Sequence, residues 1–139
     1  MVAILAFTAV YVGLWASAAP HSFFTSFPGA GHHRVTPLGP YDEHLTRDVG
    51  GLCLAMSAIS TWAAIRPHQE TFVVVGLAWL VFGIPHLTFH CLHLGMFSTA
   101  DAAGNVITRG TVVLSALLLV PAPRRGVRCA DRLVVQEPR

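Results

Sequence analysis

The chain has 139 residues, of which 53% are hydrophobic and 12% charged, and its formal net charge is +2. A soluble domain carries roughly a quarter of charged residues, so this composition excludes an ordinary soluble fold and makes lipid the expected solvent for much of the surface. No basic stripe with interleaved aromatics, phosphate loop or nucleophile elbow occurs, which leaves no nucleic-acid partner and no standard hydrolase site.

A bilayer core takes about 20 apolar residues per helical crossing, and four uncharged runs meet that need. The first covers residues 2–19. Its end, "ASAA" before Pro20, resembles a signal-peptide cleavage site. The positively charged leading region of a signal peptide is missing, so the run is read as an uncleaved anchor. Thr8, Tyr11 and Trp15 share one of its faces, as residues that cement membrane helices do.

Residues 20–41 form the one long connection, "PHSFFTSFPGAGHHRVTPLGP" and Tyr41, rich in proline and glycine and without a helical or strand period. A structureless connection of that length usually has a function in a compact domain. It is expected to be an ordered lid, its "SFFTSFP" portion resting at the membrane interface.

The second span, residues 42–65, opens with "DEHLTRDVGG". Asp42 and Glu43 suit a helix N-terminus, where the dipole favours negative charge. Glu43 and Arg47, and His44 and Asp48, are each four residues apart and so share a helix face. The stripe from His44 and Asp48 continues through Gly51, Ala55, Ala58 and Trp62. Small residues allow close helix approach in membranes, so this stripe is expected to face the bundle interior.

The third span, residues 71–97, contains "IPHLTFHCLHLGMF". His86, His90 and His93 follow an i, i+4, i+7 pattern that places them within about 60° of arc on one helix face. Pro85 removes a backbone hydrogen bond, and with Gly83 beside it a kink or local opening is expected. The fourth span, residues 106–121, carries Arg109 at its entry and Thr108, Thr111 and Ser115 on one face.

Residues 122–139 form a basic tail with Arg124, Arg125, Arg128 and Arg132 in a chain that has no lysine. By the positive-inside rule the tail is cytoplasmic. Four spans then put both termini inside and the 20–41 lid outside. Cys53 and Cys91 fall within spans and read as packing thiols, and Cys129 in the tail reads as a free thiol.

This topology places the start of the second span and the end of the third at similar depth near the outer surface. Histidine is the commonest metal ligand. His86 and His90, spaced as in zinc-binding H-E-x-x-H helices, with His44 and Asp48, would make a mixed nitrogen and oxygen shell for zinc, copper or iron. Asp48 would bind directly or orient His44, Arg47 would balance Glu43, His93 would serve as an outer partner or proton relay, and Arg109 would join the network. Haem fits less well, because Glu43, Arg47 and Asp48 crowd the same level. The spacing matches no recognised metal motif.

Three readings stay open. The cluster holds a metal ion or small ligand. Alternatively, a histidine and carboxylate acid-base pair acts on a lipophilic substrate. In the third, the polar network only closes the bundle of an accessory subunit in a larger membrane complex or homo-oligomer.

The segments "SFP", "GPYDEHLTRDVGGLCLA" and "PHLTFHCLHL", spread over roughly residues 20–100, resemble a group of uncharacterised small four-span membrane proteins of actinobacteria. In number of spans the layout is also similar to DoxX-type proteins. The resemblance implies an all-α integral membrane four-helix bundle, antiparallel, with an extracytoplasmic loop lid, in a bacterial plasma membrane. It implies no activity.

Overall fold

A computed structural model describes residues 1–120; the basic tail and Cys129 lie outside the described residues. These are mostly helical. Helix α1 (Val2–Ala18) is followed by the short α2 (Pro20–Ser26), the strands β1 (Pro28–Gly29) and β2 (His32–His33), and a 3-10 turn at Thr36–Leu38. Then come α3 (Glu43–Ile65), α4 (Gln69–Leu92), a 3-10 turn at Leu94–Met96 and α5 (Thr99–Leu117).

Local chemistry explains most of the boundaries. Pro20 disfavours helical geometry at the residue before it, so α1 ends there. The same proline suits the first position of a new helix, and α2 leaves at 119° to α1. Asp42 caps α3 by accepting from the Leu45 amide at 3.0 Å. Pro67 separates α3 from α4. Helix α4 continues through Pro85 without an interruption in its helical assignment, so no break accompanies the lost hydrogen bond.

Three segments differ from the sequence-based expectation, one of them α4, which ends at Leu92 and not at 97. Residues 20–41 do hold regular structure, including an antiparallel pair with Pro28 opposite His33 and Gly29 opposite His32. Between these strands Ala30 and Gly31 both have positive φ, 53° and 78°, as a two-residue hairpin turn of primed type requires. The pairing is too short to show a period of two.

Helix α5 begins seven residues ahead of the expected 106, because Ser98 caps it: its hydroxyl accepts from the Asp101 amide at 3.2 Å and donates to Asp101 Oδ2 at 3.0 Å. This reciprocal S-x-x-D arrangement is a start signal. Apolar onset alone overlooks it.

Helix α1 packs most extensively on α3, and α4 on α5. The α1–α3 approach depends on Gly13 and Gly50. A Cβ on Gly13 would lie 2.9 Å from the Leu54 amide nitrogen, and one on Gly50 would lie 2.7 Å from that of Ser17.

The buried stripe of α3 is therefore Thr46, Gly50, Cys53, Ser57, Ser60 and Ala63. The expected stripe of Gly51, Ala55, Ala58 and Trp62 is exposed instead, and it carries His44 and Asp48 outward with it. Both stripes are rich in small residues. The one chosen admits α1 while leaving His44 and Asp48 out of the interface.

Leu5, Ala9, Ala63, Val75, Trp79 and Ala116 bring four helices together in one buried cluster. Its polar atoms are matched: Trp79 Nε1 donates to Ser60 Oγ at 2.9 Å, and Ser60 donates to the Met56 carbonyl at 2.7 Å.

Two helices, α3 and α4, are long and apolar enough to cross a membrane, with mean hydropathies of 1.4 and 2.0. A third crossing follows if the bent α1–α2 pair counts as one span. Large apolar side chains such as Phe7, Val81 and Leu92 are more than 70% exposed, a surface suited to lipid rather than water.

Candidate functional site

Beyond Trp79 the helices diverge around a cavity of about 600 Å³. Its walls come from α1, the first half of α3, the second half of α4 and the middle of α5, and the 20–41 segment covers it. Most of the lining is apolar. The polar exceptions include His86, His90, Arg34 and Arg109.

The cover is fastened on two sides. Toward α1, the Tyr11 hydroxyl donates to the Pro28 carbonyl at 3.0 Å, and Tyr11, Trp15, Phe23 and Phe27 form a continuous aromatic cluster. Toward α5, the carboxylate of Asp101 accepts from Arg34 Nε at 3.1 Å and from His32 Nδ1 at 2.7 Å. Arg34 fits because Gly104 has no side chain; a Cβ there would overlap the guanidinium.

On the opposite side of the cavity, α4 presents His86 and His90 one turn apart. Their ring centroids are 4.8 Å apart in an edge-on arrangement. Phe82 stacks on His86 at 5.1 Å. His90 is 1% exposed, and its Nδ1 has no hydrogen-bond partner.

The expected third rung is absent from this face. Helix α4 ends at Leu92, and His93 takes φ −116° and ψ 20° as its cap residue. The His93 ring turns back on its own helix, with Nδ1 2.7 Å from the Phe89 carbonyl oxygen and the ring stacked on Phe89 at 4.2 Å. A helical projection that assumes α4 continues through 93 cannot show this.

Helix α5 brings Arg109 to the same cavity. Its Nη1 donates to Asn105 Oδ1 at 2.5 Å, while its Nε and the Asn105 Nδ2 are buried without partners. No carboxylate among the described residues forms an ion pair with Arg109. His86, His90 and Arg34 line the same cavity as Arg109.

The remaining predicted site residues lie elsewhere. His44 Nε2 is 3.4 Å from Asp48 Oδ2, and these side chains are 88% and 62% exposed. Glu43 accepts from Arg47 at 2.8 Å, also on the exposed face, and Arg47 reaches the Ser17 carbonyl. Neither pair lines the cavity.

The expected shell of His44, Asp48, His86 and His90 is therefore not assembled. Among the described residues, no three His, Cys, Asp or Glu side chains are placed to hold a metal ion. The rotation of α3 that buries Gly50 is the reason. Cys53 and Cys91 are both free thiols, one buried and one exposed.

Three polar residues of the assembled site were absent from the sequence-based set: Arg34, Asp101 and Asn105. Asp101 was detectable from its position three after Ser98, and Asn105 from its position four before Arg109. Arg34 carried no local signal.

Fold and site together define a mostly helical protein with helices of membrane-crossing length and an apolar cavity closed by an ordered cover. The chain belongs to the family DUF4345, a domain of unknown function, whose profile matches residues 1–98. That stretch includes the cover, His86 and His90 and stops just before α5, which supplies Asp101, Asn105 and Arg109. No curated protein and no solved structure matches the chain.

Proposed function

We propose that this is a bacterial plasma membrane protein with four antiparallel spans, α1, α3, α4 and α5, that holds a small lipophilic molecule in the covered cavity. The arginines at 124, 125, 128 and 132 favour a cytoplasmic tail under the positive-inside rule. The cover and the cavity then face outward, and both termini face inward.

The observation that carries the binding role is a cavity of about 600 Å³ with a mostly apolar lining, to which His86, His90, Arg34 and Arg109 add polar groups. Pockets for small molecules run at about 300–1,000 Å³, mostly apolar with a few convergent polar groups.

An acid-base pair of histidine and carboxylate has less support, since His86 and His90 form no ion pair with a carboxylate among the described residues.

The test is extraction and mass spectrometry of protein purified in a mild detergent. A small lipophilic molecule is expected to accompany the wild type in near-stoichiometric amount. It should be lost from Val12→Phe, which fills the cavity from α1. Retention by a folded Val12→Phe protein, or an empty wild type that binds no added lipophilic probe, would overturn the proposal.

A further inference from the structure

The two arginines of the cavity differ in one respect. Arg34 is buried and neutralised by Asp101 at 3.1 Å. Arg109 points into the same space, is bonded only to the neutral amide of Asn105, and has no carboxylate partner among the described residues. A guanidinium stays charged under all ordinary conditions. Leaving such a charge uncompensated in a poorly solvated site is strongly destabilising.

The unpartnered atoms around Arg109 also agree in kind. Arg109 Nε and Asn105 Nδ2 can only donate, and His90 Nδ1 donates in one tautomer. What Arg109 Nε and Asn105 Nδ2 lack is an acceptor. The one carboxylate that lines it, Asp42, is engaged at the rim in capping Leu45.

We infer that the ligand is an amphiphile with an anionic headgroup, its head on Arg109 and His90 and its apolar body in the cavity toward Trp79. This rests on the ligand-holding reading above and specifies the ligand's chemical class. The head would accept a charge-assisted pair of hydrogen bonds from the guanidinium, the geometry that makes arginine the usual partner of carboxylates and phosphates. Asn105 is then a positioning residue: it fixes one arm of the guanidinium and leaves the other directed at the head.

The test uses the full chain in lipid nanodiscs and three long-chain probes with the same brominated tail, ending in a carboxylate, an alcohol or a trimethylammonium group. Bromine quenches indole fluorescence at short range, so in a Trp15→Phe, Trp62→Phe background the remaining Trp79 in the cavity wall reports occupancy. The expected result is tightest binding by the carboxylate, about tenfold or more over the alcohol, which corresponds to about 1.4 kcal/mol, and no binding of the cation.

Arg109→Gln should remove the preference for the carboxylate over the alcohol, with the circular dichroism unchanged. Arg109→Lys should restore part of the preference. Equal binding of carboxylate and alcohol, or a preference that survives Arg109→Gln, would overturn the headgroup assignment alone. Failure of all three probes would overturn the cavity reading and this inference with it. Displacement of the carboxylate by inorganic phosphate at millimolar level would show a site for a free anion and would refute the amphiphile.

Discussion

At one end of the helices, Leu5, Ala9, Ala63, Val75, Trp79 and Ala116 close on one another, and the buried indole N–H has its acceptor in Ser60. At the other end, the four helices and the 20–41 segment line about 600 Å³ of space, and His90, Asn105 and Arg109 keep unmet polar atoms. Trp79 belongs to both regions. The difference indicates where stability and function reside: close packing with paired polar atoms holds the helices, and an unpaired, hollow region is what a ligand site requires.

The largest expected effect breaks the packed end. Trp79→Ala removes the largest side chain of the cluster and the hydrogen bond it donates to Ser60, at a cost of about 3–5 kcal/mol. Denaturation in detergent micelles, followed by helical circular dichroism, should show the loss.

A smaller effect is expected at the cover. Asp101→Asn weakens charge-assisted bonds from Arg34 and His32 worth about 1.5 kcal/mol or more, about tenfold in the opening equilibrium. Hydrogen exchange of residues 27–38 should quicken accordingly while that of α3 stays unchanged.

At the hollow end the sign should reverse. His90→Leu removes a buried atom with no partner and keeps an apolar side chain, so stability without ligand should stay within about 1 kcal/mol of the wild type or rise. Ligand retention in the extraction experiment should fall. A large loss of stability in this variant would mean that His90 is structural and would erase the contrast between the ends.

The smallest effect is expected on the outer face of α3. His44→Ala and Asp48→Ala disrupt an exposed pair worth at most about 0.5 kcal/mol. Neither should change extracted ligand, and loss of ligand in either variant would return these residues to the site.

Much of the helical layout was legible in the sequence. Residues 2–19 and 42–65 match α1 and α3 closely, because proline breaks and the Asp42 cap act through neighbouring residues. His86 and His90 were identified as a pair on one face for the same reason. His93 was placed with them on the assumption of one more helical turn, which the backbone at 93 does not make. His44 and Asp48 were assigned inward because a small-residue stripe runs below them; α3 has a second such stripe, and spacing within one helix cannot rank the two.

What the sequence by itself determined is what a residue and its neighbours within a turn or two decide: apolar runs, helix ends at Pro20 and Pro67, the i, i+4 pairs on α3, and the histidine pair on α4. Tertiary structure decided which face of α3 meets α1, through the backbone approach at Gly13 and Gly50. It also brought Arg34 and Asp101 together from 67 positions apart and left Arg109 unpaired beside His90. Those outcomes depend on helix rotation and on long-range partners, and neither is encoded in local spacing.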